Sequence, residues 1–277
     1  MSKRKTNFGL VSVIITTRNS AKTLPELLKS VKKQSYKDIE IIIVDNASRD
    51  NTKEIARKFT KKVYDKAPER SAQRNYGVAK SSGDYYLILD SDMILTRDVV
   101  KECVELMQVG GYGGLIIPEK SIGSKFWARV KAWERKINEG ETYFEASRFF
   151  SKKAFGDIGG YDKGLTGPED WDFHQRVANK YSIGRIKNYI LHNEFETTLT
   201  MLIQKKYYYG LSTHKYLKKH RISVISPTTI YLLRPSFYKN WWKLILHPIL
   251  SLSMLLMLIA ESLGGGWGYI VGRFKNG

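Results

Sequence analysis

The sequence predicts an α/β domain whose mostly parallel sheet is flanked by helices. Two observations carry this expectation. Over the first hundred residues, apolar β-branched runs alternate with amphipathic stretches, and strands buried on both faces of a parallel sheet read as such continuous runs. Polar clusters also fall where those strands end, and open α/β sheets bind ligands beyond the carboxyl ends of their strands.

LVSVIITT (10–17) is the first strand. In TLPELLKSVKKQ, Leu24, Leu27, Leu28 and Val31 repeat at i, i+3, i+4, i+7, the pattern of one helix face. Thr23 and Glu26 predict a capping box there, with Pro25 in the first turn. IEIIIVD (39–45) is a second buried strand, followed by the polar turn NASRDN and a short helix around Ile55, Ala56 and Phe59. Val63 and Tyr64 mark a short third strand, 70–82 a helix and 85–89 a fourth strand. Residues 110–125 are rich in glycine. FWARVKAWERKI (126–137) is amphipathic, with Phe126, Val130, Trp133 and Ile137 on one side. GDIGGYDKGLTGPEDWDFHQRV is loop-like until about Pro168, then helical, and a further strand precedes His192. From about residue 200 the chain turns basic and aromatic, then apolar.

With 277 residues the chain has room for one large domain or two small ones. Its 46 Lys and Arg against 27 Asp and Glu give a net charge of +19, which calls for an anionic partner: nucleic acid, an acidic membrane or a phosphorylated substrate. The single cysteine, Cys103, sits at helical spacing among apolar neighbours and excludes an intrachain disulfide. MSKRKTNFG has charges without an apolar signal core, so export is not expected. Between Pro248 and Ala260 there is no charge, a run shorter than the roughly 20 residues of a spanning helix. Lys239 and Lys243 before it, Arg273 and Lys275 after it, and Trp241, Trp242 and Trp267 near its ends suit a segment lying in a membrane interface. A buried helix hairpin and a full span are the alternatives.

Thr16 to Asn19 follow the first strand, Asp45 and Asn46 the second, and Asp90 and Asp92 the fourth; Arg70 to Asn75 open the third helix. No Gly-x-Gly-x-x-Gly follows the first strand and no Gly-x-x-x-x-Gly-Lys occurs, which counts against a dinucleotide site and a P-loop.

Four motifs in order, VSVIITTRN, IIIVDNASRDNT, RNYGVAKSSGDYYLILDSD and GGYDKGLTGPEDWDF, make residues 8–195 resemble the family 2 glycosyltransferases. The resemblance implies the Rossmann-like GT-A fold, with a partly apolar helical extension behind it. It implies a nucleotide-sugar donor of the UDP, GDP or dTDP type, Mg²⁺ or Mn²⁺, and inversion at the anomeric carbon. Asp92 is then the expected metal ligand, with Asp90 at the ribose or a metal-bound water. Asp45 is expected to meet the base, Thr16 and Arg18 to line the base and ribose pocket, and Arg74 to sit near base or diphosphate, a helix-surface salt bridge being its alternative. Asp170 is the implied general base, favoured in its ionised form by the helix N-terminus. Glu169 contacts substrate or caps the helix with Thr166. Trp171 stacks on a sugar or packs in the core, and His192 adds a metal ligand or is structural. Asp172 lies about 200° around the helix from Asp170. After the acidic helix start the chain reads HQRVANK, without the Gln-x-x-Arg-Trp of processive members, so a single addition is expected.

The expected division is a nucleotide-sugar-binding half (8–115), an acceptor-binding and catalytic half (116–200) and a membrane-associated tail (201–277). The expected partners are the donor, a lipid-linked or glycan acceptor and an anionic membrane at the cytoplasmic face of the cell membrane, with no nucleic acid. A non-catalytic nucleotide- or nucleic-acid-binding protein is the alternative; nucleic acid is disfavoured by an acid-rich crevice that without metal repels phosphate, and a non-catalytic role by the intact Asp90, Asp92 and Asp170.

Overall fold

The computed structural model describes residues 8–141, 143–194 and 197–275; the first seven residues, most of the stretch read for an export signal, lie outside these. In chain order the elements are β1 (Val11–Thr17), α1 (Leu24–Lys32), β2 (Ile39–Asp45), α2 (Thr52–Arg57), β3 (Val63–Asp65), α3 (Arg70–Ala79) and β4 (Tyr85–Asp90). Then follow β5 (Met93–Leu95), α4 (Val99–Val109), β6 (Tyr112–Ile116), β7 (Glu119–Ile122), α5 (Phe126–Ile137), β8 (Ser147–Ser151) and α6 (Lys152–Ile158). The remainder is α7 (Glu169–Ala178), β9 (Ser182–Arg185), β10 (Ile190–Asn193), α8 (Leu199–Lys219), α9 (Pro235–Lys239), α10 (Trp241–Leu246) and α11 (Pro248–Lys275). The chain divides into two units. One takes in residues up to Ile117, Ser147–Gly160 and Gln175–Ile190; the other Pro118–Ala146, Tyr161–His174 and the chain from Leu191 onward. The middle stretch, 116–200, contributes to both.

The first unit holds a seven-stranded sheet in the order β3-β2-β1-β4-β8-β6-β9. β1, β2, β3 and β4 pair in parallel, β8 runs antiparallel to both β4 and β6, and β6 and β9 are parallel. Every residue of β1 is buried, as its unbroken apolar run requires. Gly77 lets α3 press on the sheet, since a Cβ there would lie 2.5 Å from Ile14 Cγ2. The glycine-rich 110–125 segment contains β6, which the sequence does not announce. A Cβ on Gly113 would sit 2.4 Å from Tyr181 Cβ, and one on Gly114 3.1 Å from the Phe150 ring. Neighbouring aromatics fill the space that β-branched residues usually occupy. Cys103 is fully buried in the core, and burial pushes its thiol pKa well up. Thr23 caps α1 by position but its side chain makes no capping hydrogen bond, so the expected capping box does not form.

The second unit is mainly helical. Its core packs Val130, Trp133 and Ile137 of α5 against Leu202 of α8 and Met254, Met257 and Leu258 of α11. Phe126, expected beside them, is 46% exposed at the helix start. α11 is longer than the uncharged run suggested, because it continues through Glu261 and three consecutive glycines to Lys275. Its 28 residues span about 42 Å. Gly264, Gly268 and Gly272 face α8 so closely that a Cβ would meet Ile203, Tyr207 and Leu211 carbonyl oxygens at 2.7, 2.1 and 2.1 Å. The opposite face carries Ile249, Leu252, Leu256, Ile259, Leu263, Trp267, Ile270 and Phe274, all exposed.

Candidate functional site

Strand register assembles the site of the first unit. Parallel pairing sets Thr17 beside Asp45 and Thr16 beside Asp90, so three strands end in one row. The loops beyond them are braced together. Asn19, with φ of 49°, accepts from the Arg49 amide at 2.9 Å and gives its own amide to Ser48 at 2.8 Å. Ser20 Oγ lies 2.8 Å from Ser91 Oγ, joining the loop after β1 to the acid turn. Gln73, from α3, donates to the carbonyls of Val44 and Thr17, at 2.7 and 3.3 Å.

Each expected residue of this unit has a definite place. Arg18 is exposed and Thr16 buried. Asp45 is wholly buried, and its carboxylate accepts from Thr17 Oγ1 (2.7 Å), Ser48 N (2.7 Å) and Ser48 Oγ (2.6 Å). As folded it builds the turn, and direct contact with a base requires that turn to open. Arg74 is fully buried, not a helix-surface residue, and reaches Asp90 Oδ1 at 3.1 Å. Arg70 stands 4.0 Å from the same oxygen and Arg148 3.7 Å from Asp90 Oδ2. Three guanidinium groups thus surround the first acid of Asp90-Ser91-Asp92. Sequence reasoning missed Arg148 because β8 was not foreseen. The signal was there in SRFFS, a short aromatic run with Arg at one alternate position.

In the second unit, α7 begins at Glu169. Glu169 is buried and Asp170 partly exposed in the first turn. Asp172 is fully buried and held by Lys219 Nζ at 2.7 Å and His220 Nε2 at 2.8 Å. The two aspartates therefore diverge as the helical angle requires, and Asp172 ties α7 to the end of α8. Trp171 packs against Leu165, Tyr216 and Leu217. His192 lies within β10, not beyond a strand, and its Nδ1 is 3.2 Å from Glu194. Burial alone raises a carboxyl, but pairing with His192 and the charges of Lys205 and Arg135 outweigh it and hold Glu194 well below the usual range.

Among the described residues, no three of His, Cys, Asp and Glu come together to hold a metal. Mg²⁺ bound with a nucleotide ordinarily uses only one or two carboxylates beside the phosphates, and Asp90-Ser91-Asp92 supplies that number. Metal-binding histidines typically give their other ring nitrogen to a carboxylate, and His192 with Glu194 is such a pair. The carboxylate oxygens of Asp90-Ser91-Asp92 are of the kind that suits a hard divalent cation.

The model of the family described as Glycosyl transferase family 2 matches residues 12–161. The chain belongs to Glycosyl transferase family 2. Among the relatives of this family 2 chain, "Uncharacterized glycosyltransferase YwdF" of Bacillus subtilis is 27% identical over 199 residues, covering 64% of the chain and 70% of that protein. "Glycosyltransferase GlyG" of Streptococcus pneumoniae is 32% identical over 106 residues, 36% of this chain. The family 2 chain spans 35% of the length of GlyG and 22% of that of the Staphylococcus aureus "Poly(ribitol-phosphate) beta-N-acetylglucosaminyltransferase TarS". Among solved structures, the mannosyltransferase PcManGT of Pyrobaculum calidifontis, in complex with GDP-Man and Mn²⁺, matches with TM-score 0.63 and 16% identity, over 94% of this chain and 87% of that one. S. aureus TarS 1-349 with UDP-GlcNAc matches with TM-score 0.58 and 16% identity, over 96% and 91%. At such identities the likeness concerns the fold, which is GT-A.

Proposed function

We propose that the chain transfers a sugar, with inversion, from a nucleotide-diphosphate donor to a hydroxyl of a lipid-linked or cell-surface glycan at a membrane. The observation that carries this reading is the row Thr16–Asp90 and Thr17–Asp45, with Arg70, Arg74 and Arg148 around Asp90. Residues 8–115 serve the donor and 116–200 the acceptor.

Asp170 accepts the proton of the acceptor hydroxyl. The acceptor oxygen bonds to the anomeric carbon as the bond from that carbon to the phosphate oxygen breaks, and the nucleoside diphosphate leaves with the electron pair. Asp170 stands in the first turn of α7, partly exposed. Arg74 and Arg148 hold Asp90 in place and offset its charge beside an anionic donor. Thr16 and Arg18 line the nucleotide pocket, whose wall Asp45 shapes through the Ser48 turn. Glu169 and Trp171 position the acceptor. Asp92 and His192 are the proposed ligands of a Mg²⁺ or Mn²⁺ ion, which when bound would supply positive charge to the leaving diphosphate.

The outward apolar row of α11, with Trp241 and Trp242 of α10 exposed beside it, supports attachment of the tail (201–277) to the cytoplasmic face of the cell membrane. α11 is long and apolar enough to cross a bilayer. Its inner face is taken by α8 and α5, which favours lying in the interface. Lys239 and Lys243 each add about 1 kcal/mol at an anionic surface.

The test is a thermal-shift panel of UDP, GDP, dTDP and CMP, with and without Mn²⁺, on wild type and Asp170→Asn. A nucleotide at 100 times its Kd stabilises by about 2.7 kcal/mol. One diphosphate is expected to stabilise both proteins in the presence of metal, while sugar transfer survives only in the wild type. Transfer by Asp170→Asn at the wild-type rate removes the base assignment.

A further inference from the structure

The second unit contains a cavity of about 470 Å³, within the range of about 300–1,000 Å³ typical of ligand sites. Trp171, the residue after Asp170, forms part of its wall. Val224 and Ile225 form another part, and both are exposed, at 55% and 72%. The cavity therefore runs from the acidic start of α7 to an apolar rim in contact with solvent.

Its polar wall has an unusual charge pattern. Arg234 Nη1 lies 3.3 Å from Glu134, and Glu134 lies 2.6 Å from Lys131 Nζ. Lys131 Nζ is 3.0 Å from Glu261, and Glu261 is 3.4 Å from Lys206 Nζ. The five groups form one alternating chain with a cation at each end. Three cations face two carboxylates, an excess of one positive charge. The two terminal cations, Lys206 and Arg234, both line the cavity. Among the described residues this leaves one cation more than the carboxylates match, although Glu261 also lines the cavity and the Tyr231 ring faces both terminal cations, its centroid 4.3 Å from Arg234 Cζ and 5.4 Å from Lys206 Nζ. An excess of positive charge in a largely apolar wall favours an anion. A second observation points the same way. The indole N–H of Trp171 is buried and has no acceptor among the described residues, and buried donors ordinarily have one.

Inorganic phosphate alone leaves most of this volume empty and makes no use of the apolar rim. An uncharged lipid leaves the excess charge and the Trp171 donor unanswered. Resting on the transferase reading above, we infer that the cavity binds the phosphate of the lipid that carries the acceptor glycan, with the hydrocarbon chain leaving across Val224 and Ile225. Lys206, Arg234 and the Trp171 N–H take the phosphate oxygens, and Asp170 lies next in sequence to that anchor.

The test uses the full-length protein and three soluble probes, farnesyl phosphate, farnesol and inorganic phosphate, titrated by calorimetry. Farnesyl phosphate is expected to bind at least about tenfold more tightly than either other probe, a difference of about 1.4 kcal/mol. Trp171→Phe, which keeps the ring and removes the N–H, and Lys206→Met are each expected to weaken farnesyl phosphate severalfold. Farnesol or inorganic phosphate binding as well as farnesyl phosphate overturns the inference. So does wild-type affinity in Trp171→Phe, the milder variant, whose melting temperature verifies folding. Nucleotide binding by the wild-type protein is read separately. Farnesyl phosphate binding without any nucleotide response sinks the transferase reading and leaves the lipid-phosphate site, whereas the reverse result sinks only the site.

Discussion

Substituting Gly268 by alanine tests whether α8 and α11 are held by backbone contact. The new Cβ would lie 2.1 Å from the Tyr207 carbonyl oxygen, where real contacts begin at 3.0–3.4 Å. The two helices must separate by about 1 Å, and overpacking of this kind costs about 1–3 kcal/mol. Alanine also favours a helix over glycine by about 1 kcal/mol, which offsets part of that cost. Gly266 provides the control, because nothing lies within 4 Å of a Cβ built there. Gly266→Ala gains the propensity without the clash. The difference between the two variants therefore isolates the packing cost, about 1–3 kcal/mol, or roughly 2–12 °C in Tm at about 2–4 °C per kcal/mol for a chain of this size. Urea and thermal denaturation of both variants, followed by circular dichroism, measure it. Equal stability of Gly268→Ala and Gly266→Ala would refute the close-contact argument.

Arg74→Met removes a fully buried guanidinium from Asp90. It is expected to cost about 3 kcal/mol in denaturant unfolding, with Arg148 limiting the loss, and to weaken nucleotide binding in the thermal-shift panel. Burial alone raises the Glu134 carboxyl, but Lys131 and Arg234 outweigh it and hold its pKa at about 2. Its folded pKa is therefore depressed. Its contribution is fully present above the ordinary value near 4.5 and is lost as pH falls toward 2. Acid titration of helical signal is expected to show this loss in wild type and to lack it in Glu134→Gln. Asp172→Asn keeps the shape but removes the charge facing Lys219 and His220. It is expected to lower Tm by several degrees while Asp170 stays in place, so transfer persists at reduced stability. Liposome flotation is expected to recover the wild-type protein with anionic vesicles and to lose it when Trp267 and Leu263 are both changed to Asp.

The first ninety residues were legible because strands buried on both faces leave unbroken apolar runs, as in VSVIITT and IEIIIVD. The ends of those runs likewise mark Thr16, Asp45 and Asp90. β6 and β8 escaped because their residues answer to neighbours, Gly113 to Tyr181 and Arg148 to Asp90, which no local pattern reports. The length of α11 was hidden by Glu261 and the glycines, residues that interrupt an apolar run yet are well placed against Lys131, Lys206 and α8. Asp45 was visible as a strand-end acid. Its saturation by Thr17 and Ser48 depends on side-chain geometry, which the one-dimensional pattern does not carry.

The antiparallel strand β8 enters the sheet next to β4 after a detour of more than fifty residues, and it brings Arg148 with it. During synthesis, β1 to β4 and the arginines of α3 leave the ribosome well before that strand exists. Contacts so distant in sequence form late. A nascent chain stalled short of residue 147 would hold the acid turn with one of its three cations missing and a bare edge on β4. On the proposed reading of the acid turn as the donor site, competence for the nucleotide arrives as a discrete event in the life of the polypeptide. A truncation series across 140–155 should show donor affinity switching on at a step, with stalled intermediates exposing β4 to chaperones or to pairing with another chain.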